Sequence, residues 1–105
     1  MLSGIEENVH LDKTIHPRDG KLIAINQQPV MECALDILTE IVQYKTVTLT
    51  ARGESIPVAV AVANVVTENM MKGNSKILGI IVDSENQGNN GPLISTIAIT
   101  ITKTN

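Results

Sequence analysis

The spacing of hydrophobic and polar positions changes several times along the chain and predicts alternating strands and helices. Residues 21–25 form a short apolar run between a glycine and an asparagine, which is typical of a strand. From Pro29 to Tyr44, apolar residues recur at helical spacing and acidic or amide residues fall on the opposite side. This pattern predicts an amphipathic helix, with Pro29 in its first turn because the missing N–H has no partner to lose there.

The second half of the chain repeats this order and adds a hairpin. Residues 46–51 alternate threonine with apolar residues, which indicates a strand with one buried face. A second helix is predicted from Ser55, which can cap it, to about Met71. Residues 76–82 form a continuous apolar run, typical of a central strand, and residues 95–102 alternate again.

Between the last two strands, residues 84–92 are Ser, Glu, Asn, Gln, Gly and Pro only, which predicts a long hairpin arm. The element order is therefore β-α-β-α-β-β. Right-handed crossovers followed by an antiparallel hairpin give a mixed four-stranded sheet with two helices on one face. We predict an α+β fold, a two-layer α/β sandwich, formed by one domain at residues 21–105, with residues 1–20 as a flexible N-terminal arm.

The second predicted helix is apolar on nearly all sides, because Asn64 is the only polar residue between Val58 and Val66. A helix of this kind is buried on several sides. One sheet in a domain of 105 residues cannot cover all of it, so we expect a second subunit to cover the rest.

Composition narrows the function. The chain has no Phe or Trp, a net charge of −3 and a pI of about 5.2. This acidic balance argues against a protein that coats DNA non-specifically, because phosphate binding needs a local basic field. An acidic protein can still bind nucleic acid through a basic patch. The single Cys33 cannot form an internal disulfide, the N-terminus lacks the features of a secretory signal, and no apolar run could span a bilayer. We expect no membrane association and a cytoplasmic protein, nucleoid-associated if prokaryotic.

Patterns that carry catalysis are weak. The chain contains no P-loop, no nucleophile elbow and no Cys/His ligand cluster, and His10 and His16 are expected to be solvated. Cys33 lies near a helix start, where a thiol pKa can fall, but a buried structural cysteine is the favoured interpretation. We predict no enzyme, no metal and no cofactor. A small-molecule-binding or catalytic dimer that uses Cys33 and the threonine face of the sheet stays as an alternative.

Three stretches carry a family resemblance. Residues 28–31 (Gln-Pro-Val-Met) open the first helix, residues 50–53 (Thr-Ala-Arg-Gly) lie at the turn before the second helix, and residues 94–97 (Ile-Ser-Thr-Ile) begin the last strand. In order and approximate spacing they resemble the Lys-Pro-Val-Met, Lys-Ala-Arg-Gly and Val-Ser-Thr-Ile stretches of the Alba family of archaeal and eukaryotic chromatin and RNA-binding proteins. The resemblance covers about residues 21–103.

The resemblance implies a homodimer that binds duplex DNA or RNA without strong sequence preference. In the family, the second helix and the last strands form the dimer interface, residues before the first helix contact phosphates, and the hairpin arms follow the minor groove. The implied dimer-interface residues are Val58, Val62, Val65, Val66 and Ile99. The implied nucleic-acid-binding residues are Lys21, Gln27, Gln28, Arg52, Gly53, Asn86, Asn89 and Asn90.

The chain departs from the family pattern where phosphates would bind. Gln27 and Gln28 stand in place of the family's lysines, Glu54 stands where a basic residue is common, and the arm carries Glu85 and no Lys or Arg. Arg52 can bind a phosphate or form a salt bridge with Glu54 or another surface carboxylate. We therefore expect weak binding, with a dissociation constant of about 10⁻⁴–10⁻⁶ M. The alternative is an Alba-fold interaction or dimerisation module that has lost nucleic-acid binding, including as a heterodimer with a basic paralogue.

Overall fold

The computed structural model describes residues 20–86, residue 88 and residues 91–104. The element order is the predicted β-α-β-α-β-β. The elements are β1 (Lys21–Ala24), α1 (Val30–Tyr44), β2 (Thr46–Arg52), α2 (Ile56–Val65), β3 (Ser75–Asn86) and β4 (Leu93–Lys103). Apart from Gly20, the predicted N-terminal arm lies outside the described residues.

The four strands form one mixed sheet in the order β1-β2-β4-β3, as the predicted fold class requires. β1 runs parallel to β2, and the pairs β2–β4 and β3–β4 are antiparallel. The prediction that residues 76–82 form a central strand is wrong, because β4 takes the central place and β3 is an edge strand. A continuous apolar run does not distinguish a strand buried on both faces from one with an exposed apolar surface.

The core lies between the sheet and the two helices. Cross-strand register pairs Leu49 with Ile99 and Val47 with Ile101, and all four side chains are buried on the helix-facing side. α1 adds Ile37 and Ile41, and α2 adds Ala59, Val62 and Ala63. The alternation of residues 46–51 therefore identified the buried face correctly.

The second helical region is less regular than the sequence predicts. A 3₁₀ turn at Gly53–Ser55 precedes α2, and a π-helical segment at Val66–Met70 follows it. Ser55 makes no side-chain capping hydrogen bond, contrary to the prediction. Neither helix in the described part of the chain is long and apolar enough to cross a membrane.

The hairpin arm is shorter at its tip and longer in its strands than predicted. Asn86 pairs with Leu93 and Ser84 with Ser95, so residues 84–86 belong to β3 rather than to a turn. Polar residues can extend an exposed two-stranded ribbon, because its stability comes partly from backbone pairing. The sequence alone therefore placed the end of the strand too early.

Candidate nucleic-acid interface

A groove lies at the end of the sheet where β1 and β2 both finish. The segment after β1 and the turn after β2 meet there because the two strands are parallel, and β4 begins beside them. The lining includes the segment at Asn26 and Gln27, the turn at Arg52 and Gly53, and the start of β4 at Leu93. Gly53 has a φ of 52°, in the left-handed region that favours glycine, and this conformation turns the chain from β2 toward α2.

The amides predicted to face phosphates make local contacts instead. The side-chain Nε2 of Gln27 donates a hydrogen bond of 2.8 Å to Oε1 of Glu54. The side-chain Oε1 of Gln28 accepts a hydrogen bond of 3.1 Å from the backbone N–H of Asn26. Gln27 is therefore held against a carboxylate, and a phosphate placed here would meet that negative charge.

Arg52 is also paired with a carboxylate. Its Nη2 lies 2.7 Å from Oε1 of Glu85 on β3, and the two side chains are 58% and 48% exposed. Of the two interpretations that the sequence allowed for Arg52, the structure displays the salt bridge. Exposed ion pairs contribute only about 0.2–1 kcal/mol, so a phosphate that offers two hydrogen bonds to the guanidinium can compete for it.

Lys21 does not belong to this groove. It stands in register with Val47, five residues before Arg52 on β2 and so roughly 16 Å from it along the strand. Its Nζ lies 3.4 Å from Oε1 of Glu40 and 5.2 Å from the centre of the Tyr44 ring. Lys21 and Arg52 therefore occupy opposite ends of the strands and do not form one site; that Lys21 binds nucleic acid stays a prediction.

The hairpin residues are described in part. Asn86 is exposed at the end of β3, opposite Leu93, on the ribbon that carries Glu85. Asn89 and Asn90 lie outside the described residues. Of the three hairpin asparagines predicted to bind nucleic acid, the described ribbon therefore contains one, Asn86, which lies near the groove.

The predicted dimer-interface residues lie mostly inside the protomer. Val62, Val66 and Ile99 are buried in the core, and Val58 and Val65 are partly buried against it. A fully buried side chain is not available to a partner, so Val62, Val66 and Ile99 cannot contact a second subunit directly, whereas Val58 and Val65 keep part of their surface. Substituting Val62 would test the core rather than the dimer.

An exposed apolar surface lies beside that core. Val82 pairs with Ile97 and Ile80 with Ile99, so both point to the helix-facing side of the sheet, yet they are 67% and 53% exposed. Val60 of α2 is exposed as well. We call Val60, Ile80 and Val82 the edge patch. In the sequence, the signal for this patch is the apolar run of β3. The two helices do not cover the whole of that run, so part of it is exposed.

The groups considered for catalysis are occupied or buried. The Cys33 thiol is buried, and burial, followed by the nearby Asp36 carboxylate, raises its pKa above the ordinary 9.0. The hydroxyl pair of Thr48 and Thr100 lies 2.9 Å apart and is buried, so this part of the threonine face is not open. Among the residues that the structure describes, no three His, Cys, Asp or Glu side chains form a group that could hold a metal ion.

The fold and groove together define a small two-layer α+β protein with a polar groove at one end of its sheet. The sequence matches the Alba family model over residues 21–80, more than half of the chain, so the chain belongs to the Alba family. The resemblance inferred from three short stretches is thereby confirmed. At the level of the family, this is a nucleic-acid-binding type of protein.

Solved structures agree with that assignment. Alba from Thermoplasma volcanium is 28% identical, has a TM-score of 0.67, and aligns over 77% of this chain and 98% of its own. ALBA1 from Trypanosoma brucei is 21% identical, has a TM-score of 0.59, and aligns over 87% of this chain and 74% of its own, which shows the shared fold. No curated protein sequence matches significantly.

Proposed function

We propose that the protein is a dimer that binds DNA or RNA weakly and without strong sequence preference, in association with chromatin or RNA. Family membership supports the nucleic-acid role. The observation that carries the weakness is the pairing of Arg52 with Glu85 and of Gln27 with Glu54 in the groove. The protein's own carboxylates thus occupy the donors that would otherwise bind phosphates.

The local charge supports the same conclusion. Among the described residues in or beside the groove, one positive side chain, Arg52, stands against two negative ones, Glu54 and Glu85, so the groove region carries a net charge of −1. Each phosphate neutralised steepens the dependence of log affinity on log salt by about 0.9. Two Arg52 side chains in a dimer therefore allow a slope of only about −2, and a dissociation constant within about 10⁻⁴–10⁻⁶ M.

The edge patch supports dimerisation. Exposed apolar side chains such as these, two on an edge strand and one on α2, are typical of subunit contacts. We expect Val82→Asp to give monomers in sedimentation velocity, because the dimer would bury an unpaired charge. Leu22→Asp, at a similarly exposed residue on the other face of the sheet, is the control and should stay dimeric. A dimer that survives Val82→Asp would remove the edge patch as the interface.

The nucleic-acid role is tested by fluorescence anisotropy of labelled duplex DNA and duplex RNA over a range of salt concentrations. We expect binding that weakens with salt and that Arg52→Gln reduces. Lys72→Gln removes an equal charge from an exposed position after the second helical region and should have a smaller effect. Absence of binding at the lowest salt, or equal effects of the two variants, would contradict the proposal.

One observation favours a second function: carboxylates occupy both donor side chains at the groove, Glu85 that of Arg52 and Glu54 that of Gln27. If no nucleic acid binds, the chain acts as a dimerisation module that pairs with a basic paralogue through the edge patch. Mixing with such a paralogue would then give heterodimers whose nucleic-acid affinity is lower than that of the basic homodimer.

A further inference from the structure

α1 carries a row of four apolar side chains, of which three are exposed and one also packs against the core. Met31, Leu35 and Val42 are 57%, 54% and 61% exposed, and Leu38 between them is half-buried. At 100° per residue these four positions fall within about 60° of one another around the helix axis. The row is about 16 Å long, or three helical turns. Three large exposed side chains in line on one helix exceed the scattered apolar exposure of an ordinary surface.

The surface around this row is acidic. Residues 22–44 and 53–71, which include both helices, contain no Lys or Arg. Glu32 and Asp36 are exposed on α1 next to the row, and Glu68 is exposed on the π-helical segment. The outer side of the helical layer is therefore apolar along one line and negative beside it.

This surface is separate from the edge patch. Lys21 joins α1 to β1 through its ion pair with Glu40, so α1 lies toward the β1 side of the sheet. The edge patch lies along β3, which is the opposite edge. Occupation of the α1 row therefore leaves the edge patch free.

We propose that the α1 row binds a basic amphipathic helix of a partner protein. Apolar side chains of such a helix would cover Met31, Leu35 and Val42, and its Lys or Arg residues would lie beside Glu32 and Asp36. Helices with apolar residues at spacings of three and four bind to grooves and faces in this way. The charge excludes other occupants: a second copy of the row would bring Glu32 and Asp36 against their own kind, and nucleic acid and anionic lipid are repelled by them.

The probe for this surface is a fluorescein-labelled peptide of roughly 18 residues, built from Leu and Lys so that the leucines form one helical stripe. A second peptide has the same composition in an order that forms no stripe. In anisotropy titrations at low salt, we expect the striped peptide to bind at least tenfold more tightly. Equal binding of the two peptides, or no binding of the striped one, would overturn the proposal.

Two matched pairs of variants locate the contact. Leu35→Ser should weaken binding of the striped peptide about tenfold, whereas Leu78→Ser on β3, at 48% exposure against 54% for Leu35, should leave it unchanged. Asp36→Asn should weaken binding more than Asp83→Asn does, since both are exposed aspartates but Asp83 lies on β3. All four positions are exposed, and circular dichroism checks that each variant is folded. Equal effects within either pair would overturn the assignment.

Further measurements distinguish this proposal from the nucleic-acid role and from other occupants of the α1 row. Leu35→Ser should leave duplex DNA and RNA binding unchanged, so failure of the nucleic-acid role and failure of this surface are distinguishable. Sedimentation velocity tests the rival occupant: self-association that Leu35→Ser abolishes would identify a second copy and overturn the heterologous partner. Binding to vesicles of phosphatidylserine and phosphatidylcholine that depends on Leu35 would overturn it in favour of a membrane.

Discussion

Removing the carboxylate that pairs with Arg52 should increase the affinity of the groove for duplex nucleic acid. In Glu85→Gln, the guanidinium loses a partner at 2.7 Å and becomes available to a phosphate. Because the pair is about half exposed, breaking it costs only about 0.2–1 kcal/mol. A dimer that binds a duplex breaks two pairs, so the variant gains about 0.4–2 kcal/mol, or about 2- to 30-fold in affinity at low salt.

The salt dependence gives a second, independent magnitude. In Glu85→Gln, the slope of log affinity against log salt should approach the limit of about −1.8 that two Arg52 side chains in a dimer allow, whereas the wild-type slope should be shallower. Stability should change little, because the lost pair is exposed, and the melting temperature should fall by only a few degrees. A gain in binding with little change in stability is the combination expected of a contact that competes with the ligand.

The assay is fluorescence anisotropy with one labelled duplex at several salt concentrations, performed on wild type, Glu85→Gln and Glu68→Gln. The last variant removes the same charge from the π-helical segment, away from the groove, and controls for the change in net charge. The reasoning is refuted if Glu85→Gln and Glu68→Gln give the same affinity and the same slope. It is also refuted if Glu85→Gln unfolds the protein, because the pair would then be structural.

Three further outcomes follow from the same structure. Val62→Ala should lower the free energy of unfolding by about 2–3 kcal/mol in urea denaturation, from two lost methyl groups and the cavity they leave; a change below about 0.5 kcal/mol would contradict its place in the core. Gln27→Lys alone should tighten duplex binding little, because Glu54 would pair with the new cation, whereas Gln27→Lys with Glu54→Gln should tighten it and steepen the salt slope; equal effects would mean that Glu54 is not the obstacle. Burial raises the pKa of Cys33 above its unfolded value. The contribution of this thiol to stability is therefore complete below the unfolded pKa and is lost as pH rises through the folded pKa. Urea denaturation at increasing pH above about 9 should show this loss of stability, and the loss should be smaller in Cys33→Ala.

Local patterns predicted most of the fold. The period-two alternation of residues 46–51 identified both the strand and its buried face, and the helical spacing before Tyr44 identified α1. These predictions succeeded because the two periods follow from backbone geometry and the need to bury one face. The family stretches succeeded for a similar reason, since each is continuous in sequence.

The sequence predicted which residues lie at the candidate site but not which of them pair with one another. Sequence comparison within the resemblance pointed to Gln27, Arg52, Glu54 and Glu85, and all four lie at the groove or beside it. It did not identify which carboxylate pairs with Arg52, because Glu85 is 33 residues away on another strand. It also placed Lys21 in the site, since proximity in sequence does not reveal which end of a strand a residue occupies.

The amino-acid sequence by itself determined the order of elements, the apolar composition of the core, the acidic balance and the family. Each of these depends on residue types and on spacings within a single element. Tertiary structure alone decided that β3 is an edge strand, that Val62 faces the protomer's own core while Val82 is exposed, and that Glu85 reaches Arg52. The physical reason is that these properties depend on the pairing of distant strands and on the limited area that two helices can cover, and neither is encoded in any one segment.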